Sequence, residues 1–75
     1  MTPPAFTRAC HRLVGRERGW IAAIADLLEC DHHTITRYGD GRLVVPKRVQ
    51  WALYGLEMCK KHDPAVWGKL IGGRA

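Results

Sequence analysis

His32, His33, Thr36 and Arg37 place four hydrogen-bonding side chains within six residues. On a helix they are the exposed positions, and the chemistry such a face offers is recognition. Arginine can direct two donors at O6 and N7 of guanine, while histidine and threonine reach base edges or phosphate oxygens. Catalysis asks for a nucleophile with an evident base, paired carboxylates or a glycine-rich phosphate loop, and the sequence offers none of these. Cys30-Asp31-His32-His33 and Cys59-Lys60-Lys61-His62 bring Cys and His close together. Zinc sites use tighter paired spacing, such as C-x₂-C with H-x₃-H. No enzyme activity, metal or cofactor is therefore expected.

The elements that must hold this face can be read from period and punctuation. Ile24, Ala25 and Leu28 have the spacing of one helical stripe, and Thr34, Ile35 and Tyr38 resume it after a break at Glu29-Cys30-Asp31. Asp31 is a good N-cap for a helix from His32 to Tyr38, which Gly39 and Gly41 terminate. Two short amphipathic helices joined by a tight turn describe a helix-turn-helix, whose second helix reads the major groove. Ala25 is the small residue where the two backbones approach. Ile24, Leu28, Ile35 and Tyr38 fix their angle.

The rest of the chain supplies three more helices. Thr2 caps a first helix opened by Pro3 or Pro4, striped by Phe6, Ala9, Cys10, Leu13 and Val14, and ended by Gly15. Arg8, Arg12, Arg16 and Arg18 lie off that stripe or in the linker after it. The helix before the turn begins around Gly19-Trp20. Arg42 to Val45 form an extended loop, and Pro46 opens a fourth helix reaching Lys61, with Val49, Ala52, Leu53, Leu56 and Cys59 on one side. Asp63-Pro64 starts a short fifth helix containing Val66, Trp67, Leu70 and Ile71, closed by Gly72-Gly73. The expected fold class is all-α, with five short helices around the helix-turn-helix. It forms one domain over residues 1–71, with a flexible tail over 72–75.

An ordinary helical hairpin whose polar residues face water has the same apolar spacing. Three features favour a DNA reader. A glycine turn and a basic loop follow where phosphates would lie. Arg37, Arg42, Lys47 and Arg48 are four cations in twelve residues, opposed only by Asp40. Asp26, Glu29 and Asp31 cluster mainly before the reading helix.

Residues 20–56 resemble the lambda-repressor-like helix-turn-helix family, the phage repressor and Cro class. The match runs through Ile24-Ala25, Leu28, Asp31, Thr34-Ile35, Arg37-Tyr38, Gly41, Val45-Pro46, Val49, Leu53 and Leu56. The resemblance implies that His32, His33, Thr36 and Arg37 face the bases. It places Asp40, Arg42 and Lys47 on the loop and helix start that touch the DNA backbone, with Arg48 beside them. Two positions depart from the family. Glu29 stands where glycine is usual, so it must adopt a left-handed backbone or the turn must differ. Ile21 stands where many members carry a phosphate-clamping glutamine, which leaves that contact to Trp20 or to the helix N-terminus.

Twelve Lys and Arg against seven Asp and Glu give a net charge of +5, which suits an anionic partner and also serves ordinary solubility. Cys10, Cys30 and Cys59 are widely spaced and read as small buried hydrophobes in a reducing compartment. No apolar run approaches a membrane span and no leader pattern opens the chain, so no membrane association and a cytoplasmic location in a bacterial host are expected. One reading helix covers few base pairs, and members of this class pair across a two-fold axis on inverted repeats. Trp51, Tyr54 and Met58 lie off the buried stripe of the fourth helix. With Trp67 and Leu70 they are expected to form a homodimer interface. The resulting expectation is a dimeric repressor of double-stranded DNA without a small-molecule ligand. It is plausibly autoregulatory and encoded by a phage or mobile element, with the repressors of anti-CRISPR operons as one such type. The rival is an antitoxin or adaptor whose protein partner covers Trp51, Tyr54 and Trp67.

Overall fold

Thr2 lies in extended backbone and its hydroxyl accepts a hydrogen bond from the Ala5 amide at 3.3 Å. Prolines in the first turn need no amide partner, so the chain becomes helical at once. In a computed structural model that describes residues 1–72, this helix, α1, spans Pro3–Val14. It is followed by α2 (Trp20–Leu28), α3 (His32–Asp40), α4 (Lys47–His62) and α5 (Pro64–Gly72). Every regular element among the described residues is helical. No described helix is long and apolar enough to cross a membrane.

α1 is the central element, packing against α2, α3 and α4, while α5 packs on α4. Its stripe Phe6, Ala9, Cys10 and Leu13 is buried, with Phe6 and Cys10 fully enclosed beside Ile24 of α2 and Ile35 of α3. Phe6 meets Tyr38 edge to face, with ring centroids 5.4 Å apart. Burying a side chain of this size stabilises by roughly 1.5–3 kcal/mol, so these few residues set the relative positions of α1, α2 and α3. Val49 and Leu53 bring α4 onto the same core. Burial pushes the Cys10 thiol up to about 12, which keeps it protonated and inert.

The structure corrects three boundaries. α3 continues through Gly39 and Asp40, and only Gly41 is left-handed, at φ 85°. Gly39 therefore does not terminate the helix. A glycine can sit in either conformation, and here the contact of α3 with α1 extends the helix past the first glycine. Pro46 is the N-cap of α4, which begins at Lys47 and runs to His62. Gly72 belongs to α5, and the expected tail from Gly73 onward lies outside the described residues.

Trp67 is a fourth correction. It was expected on an outward-facing interface, yet it is only 6% exposed and belongs to the core cluster. The Lys60 ammonium lies 5.8 Å from its ring centre. The chain covers this tryptophan itself, leaving little of it for a second copy to bury.

Candidate nucleic-acid interface

The turn between α2 and α3 is built by backbone geometry. Glu29 is left-handed at φ 54°, ψ 43°, and it alone among the described non-glycine residues has a positive φ. Its amide donates to the Asp26 carbonyl at 3.2 Å, and the Cys30 amide donates to the Ala25 carbonyl at 2.8 Å. This nested pair of bonds is the Schellman arrangement that ends many helices at a glycine. Here a glutamate bears the strain, roughly 1–2 kcal/mol for an L-residue in this region. The Cys30 thiol donates to the Leu28 carbonyl at 3.4 Å and stays tucked against the core.

Asp31 then starts α3. Its carboxylate accepts from the His33 amide at 3.0 Å while its own backbone remains extended. With Ile35 and Tyr38 buried, His32, His33, Thr36 and Arg37 are all left exposed. The structure thus brings together the four residues expected to read bases. The Thr36 hydroxyl donates to the His32 carbonyl at 3.0 Å, four residues back along the same helix. His32 also lines an open cleft of about 470 Å³ with Asp26 and Glu29, so an acidic border flanks one end of the face. His33, Thr36 and Arg37 do not line that cleft.

The expected backbone-contacting residues divide. The Asp40 carboxylate accepts from the Arg42 amide at 3.0 Å and pairs with the Arg42 guanidinium at 3.5 Å. The Leu43 amide donates to the Arg37 carbonyl at 3.2 Å, folding the loop against the end of α3. Asp40 therefore orients the loop, and Arg42 remains highly exposed within it. Lys47 and Arg48 sit in the first turn of α4, where the helix dipole disfavours cations by about 0.3–1 kcal/mol each. The structure places them apart. Arg48 lines a cleft with Glu29, Asp31 and Thr34 beneath the α2–α3 turn, whereas Lys47 shares a groove with Gln50, Trp51 and Tyr54. Trp20 is half-buried and meets His11 edge to face at 4.8 Å, so it anchors the start of α2 on α1.

Two apolar loop residues escaped sequence reading. Leu43 is exposed and Val44 is 87% exposed, directly between α3 and α4. Nothing in their spacing marks them, because the loop has no period. On the outer face of α4, Trp51 and Tyr54 are 70% and 55% exposed and stack edge to face at 6.0 Å. Met58 is half-buried one turn further on, and Leu70 of α5 is exposed. Among the described residues, no three His, Cys, Asp or Glu side chains are grouped as metal ligands would be. No family model, curated protein or solved structure matches the chain.

Proposed function

We propose that this chain is a sequence-specific DNA-binding transcriptional regulator whose α3 enters the major groove. The observation that carries this reading is the outward face of α3, where His33, Thr36 and Arg37 are exposed beside a loop bearing Arg42. The α2–α3 pair beneath it is packed through buried Ile24, Ala25, Ile35 and Tyr38. An exposed arginine on a rigid helix is the side chain most often used to recognise guanine. Arg42, Lys47 and Arg48 add a sequence-independent attraction to phosphates that weakens as salt rises.

In this reading the protein binds an inverted repeat as a homodimer. Occupying the operator represses transcription from its own promoter, in a phage or mobile element. The aromatic pair Trp51 and Tyr54, with Met58 and Leu70, supports a two-fold contact through the outer face of α4 and the adjacent α5. The same exposed pair also favours a second reading, an antitoxin or adaptor that holds another protein there.

A gel shift with the DNA upstream of its own gene, beside a random duplex and at two salt concentrations, tests the first reading. A complex with the upstream DNA that survives the higher salt, while the random duplex dissociates, is expected. No retardation of either duplex at the lower salt would overturn it. Sedimentation of wild type beside a Trp51→Ser, Tyr54→Ser variant tests the dimer, with a monomer mass expected only for the variant.

A further inference from the structure

Four basic side chains on α1 and its following loop have no role in the reading helix. Arg8, His11, Arg12 and Arg16 line a concave pocket of about 290 Å³. Arg8 and Arg12 are one turn apart on α1, and Arg16 continues the spacing into the loop. Among the described residues only Arg12 is neutralised, by an ion pair with Glu57 of α4. Arg8 and Arg16 are exposed and make no ion pair among the described residues. The His11 ring is held by Trp20, and its Nε2 is buried with no hydrogen-bond partner. A buried polar atom left unpaired costs about 1–3 kcal/mol, so a turn of the ring that brought this nitrogen to an anion in the pocket would be favoured.

A solvated arginine ridge would explain the charges alone. It does not explain why three arginines and the His11 ring line one concavity. Guanidinium groups with an imidazole donor match the oxygens of a phosphate group, which accept several hydrogen bonds at once. We propose that this pocket is a phosphate-binding site that grips the DNA backbone beside the groove α3 occupies. The assignment to DNA rests on the reading given above. Geometry supplies the distance. Trp20 ties the pocket to the start of α2, and the nine residues of α2 span about 13 Å to the turn that opens α3. That length is comparable with the major-groove width of about 12 Å, so in the proposed complex the cluster would lie near the groove wall.

The test compares wild type with an Arg8→Ala, Arg16→Ala variant, leaving Arg12 and its ion pair intact. Binding to a random 20-base-pair duplex is measured against salt concentration. Each lost phosphate contact lowers the slope of log K against log salt by about 0.9, so the variant slope should fall by roughly 2. An unchanged slope, with wild type binding the duplex, overturns the proposal. A second arm titrates inorganic phosphate into the wild type and follows the His11 ring and arginine Nε–H signals by NMR. Saturable shifts without any duplex binding would keep the phosphate site and overturn its assignment to DNA. Absence of both phosphate shifts and duplex binding would overturn the site itself.

Discussion

Lys60 closes the end of a helix to which it does not belong: its ammonium donates to the Leu13 carbonyl at 3.0 Å. It also donates to the Arg12 carbonyl at 2.6 Å, and it lies over the Trp67 ring. One side chain of α4 therefore satisfies two carbonyls at the C-terminus of α1 and covers the tryptophan of α5. A positive charge there also complements the helix dipole.

Lys60→Met keeps the apolar stem and removes these donors. Stability should fall by about 1–2 kcal/mol, seen as a lower urea midpoint with an unchanged m-value. A midpoint equal to wild type would show that water replaces the ammonium without cost.

Glu29→Gly should stabilise the fold by about 0.5–1 kcal/mol, because glycine relieves the left-handed strain and loses part of that gain to its own chain entropy. Glu29→Ala keeps the strain and should bring no such gain. Thermal melts of the two variants separate backbone relief from loss of the carboxylate.

Gly39 and Gly41 should respond with opposite sign. Gly39 is helical, and a Cβ there would make an ordinary contact with the Thr7 hydroxyl at 3.5 Å, so Gly39→Ala should stabilise by about 0.5–1 kcal/mol. Gly41→Ala would force a left-handed residue and a Cβ 3.3 Å from Pro3, and should cost about 1–2 kcal/mol. Denaturant curves for both variants check whether α3 ends at the second glycine.

The Glu57 carboxylate is held below its ordinary value of 4.5, first by the hydrogen bond from Arg12 and then by the charges of Arg12, Lys61 and Lys60, against the opposing effect of burial. A folded-state pKa below the unfolded one contributes stability above the unfolded value. That contribution is lost as the pH falls through the folded value. The pair is partly exposed, so solvent screening limits it to a few tenths of a kcal/mol. Wild type should exceed Glu57→Gln in stability at pH 6 and converge on it below about pH 4, measured by urea midpoints across that range.

Arg37→Ala should weaken the specific complex by about 1–3 kcal/mol and relax the preference at one base position. Arg42→Ala should weaken all duplexes alike. Anisotropy titrations with operator and random DNA separate the two outcomes, and a loss confined to the operator for Arg42→Ala would reverse its role.

Much of this architecture was legible because its cues are local. The Phe6–Leu13 stripe, the Asp31 cap and the Asp63-Pro64 start each lie within a few residues and appear as expected. What escaped depends on distant neighbours. Arg12 and Glu57 are 45 residues apart, and Lys60 lies 47 from Leu13, so no window could pair them. Trp67 reads as a surface residue for the same reason, since its cover comes from the packed core. The end of α3 was ambiguous because two glycines offered a stop and only packing chose between them. For the outward face of α3, exposure of His32, His33, Thr36 and Arg37 follows from the apolar period, whereas the pairing of Asp40 with Arg42 does not.

Thr36 has a single hydroxyl hydrogen, and it is already spent on the His32 carbonyl. What the side chain offers the groove is then a pair of lone pairs, an acceptor. In the proposed complex it can receive the amino group of adenine or cytosine, and it would have to break its own helix bond before serving guanine or thymine. A one-atom commitment inside α3 thus biases the alphabet at one position toward the two bases that present an amino group in the major groove.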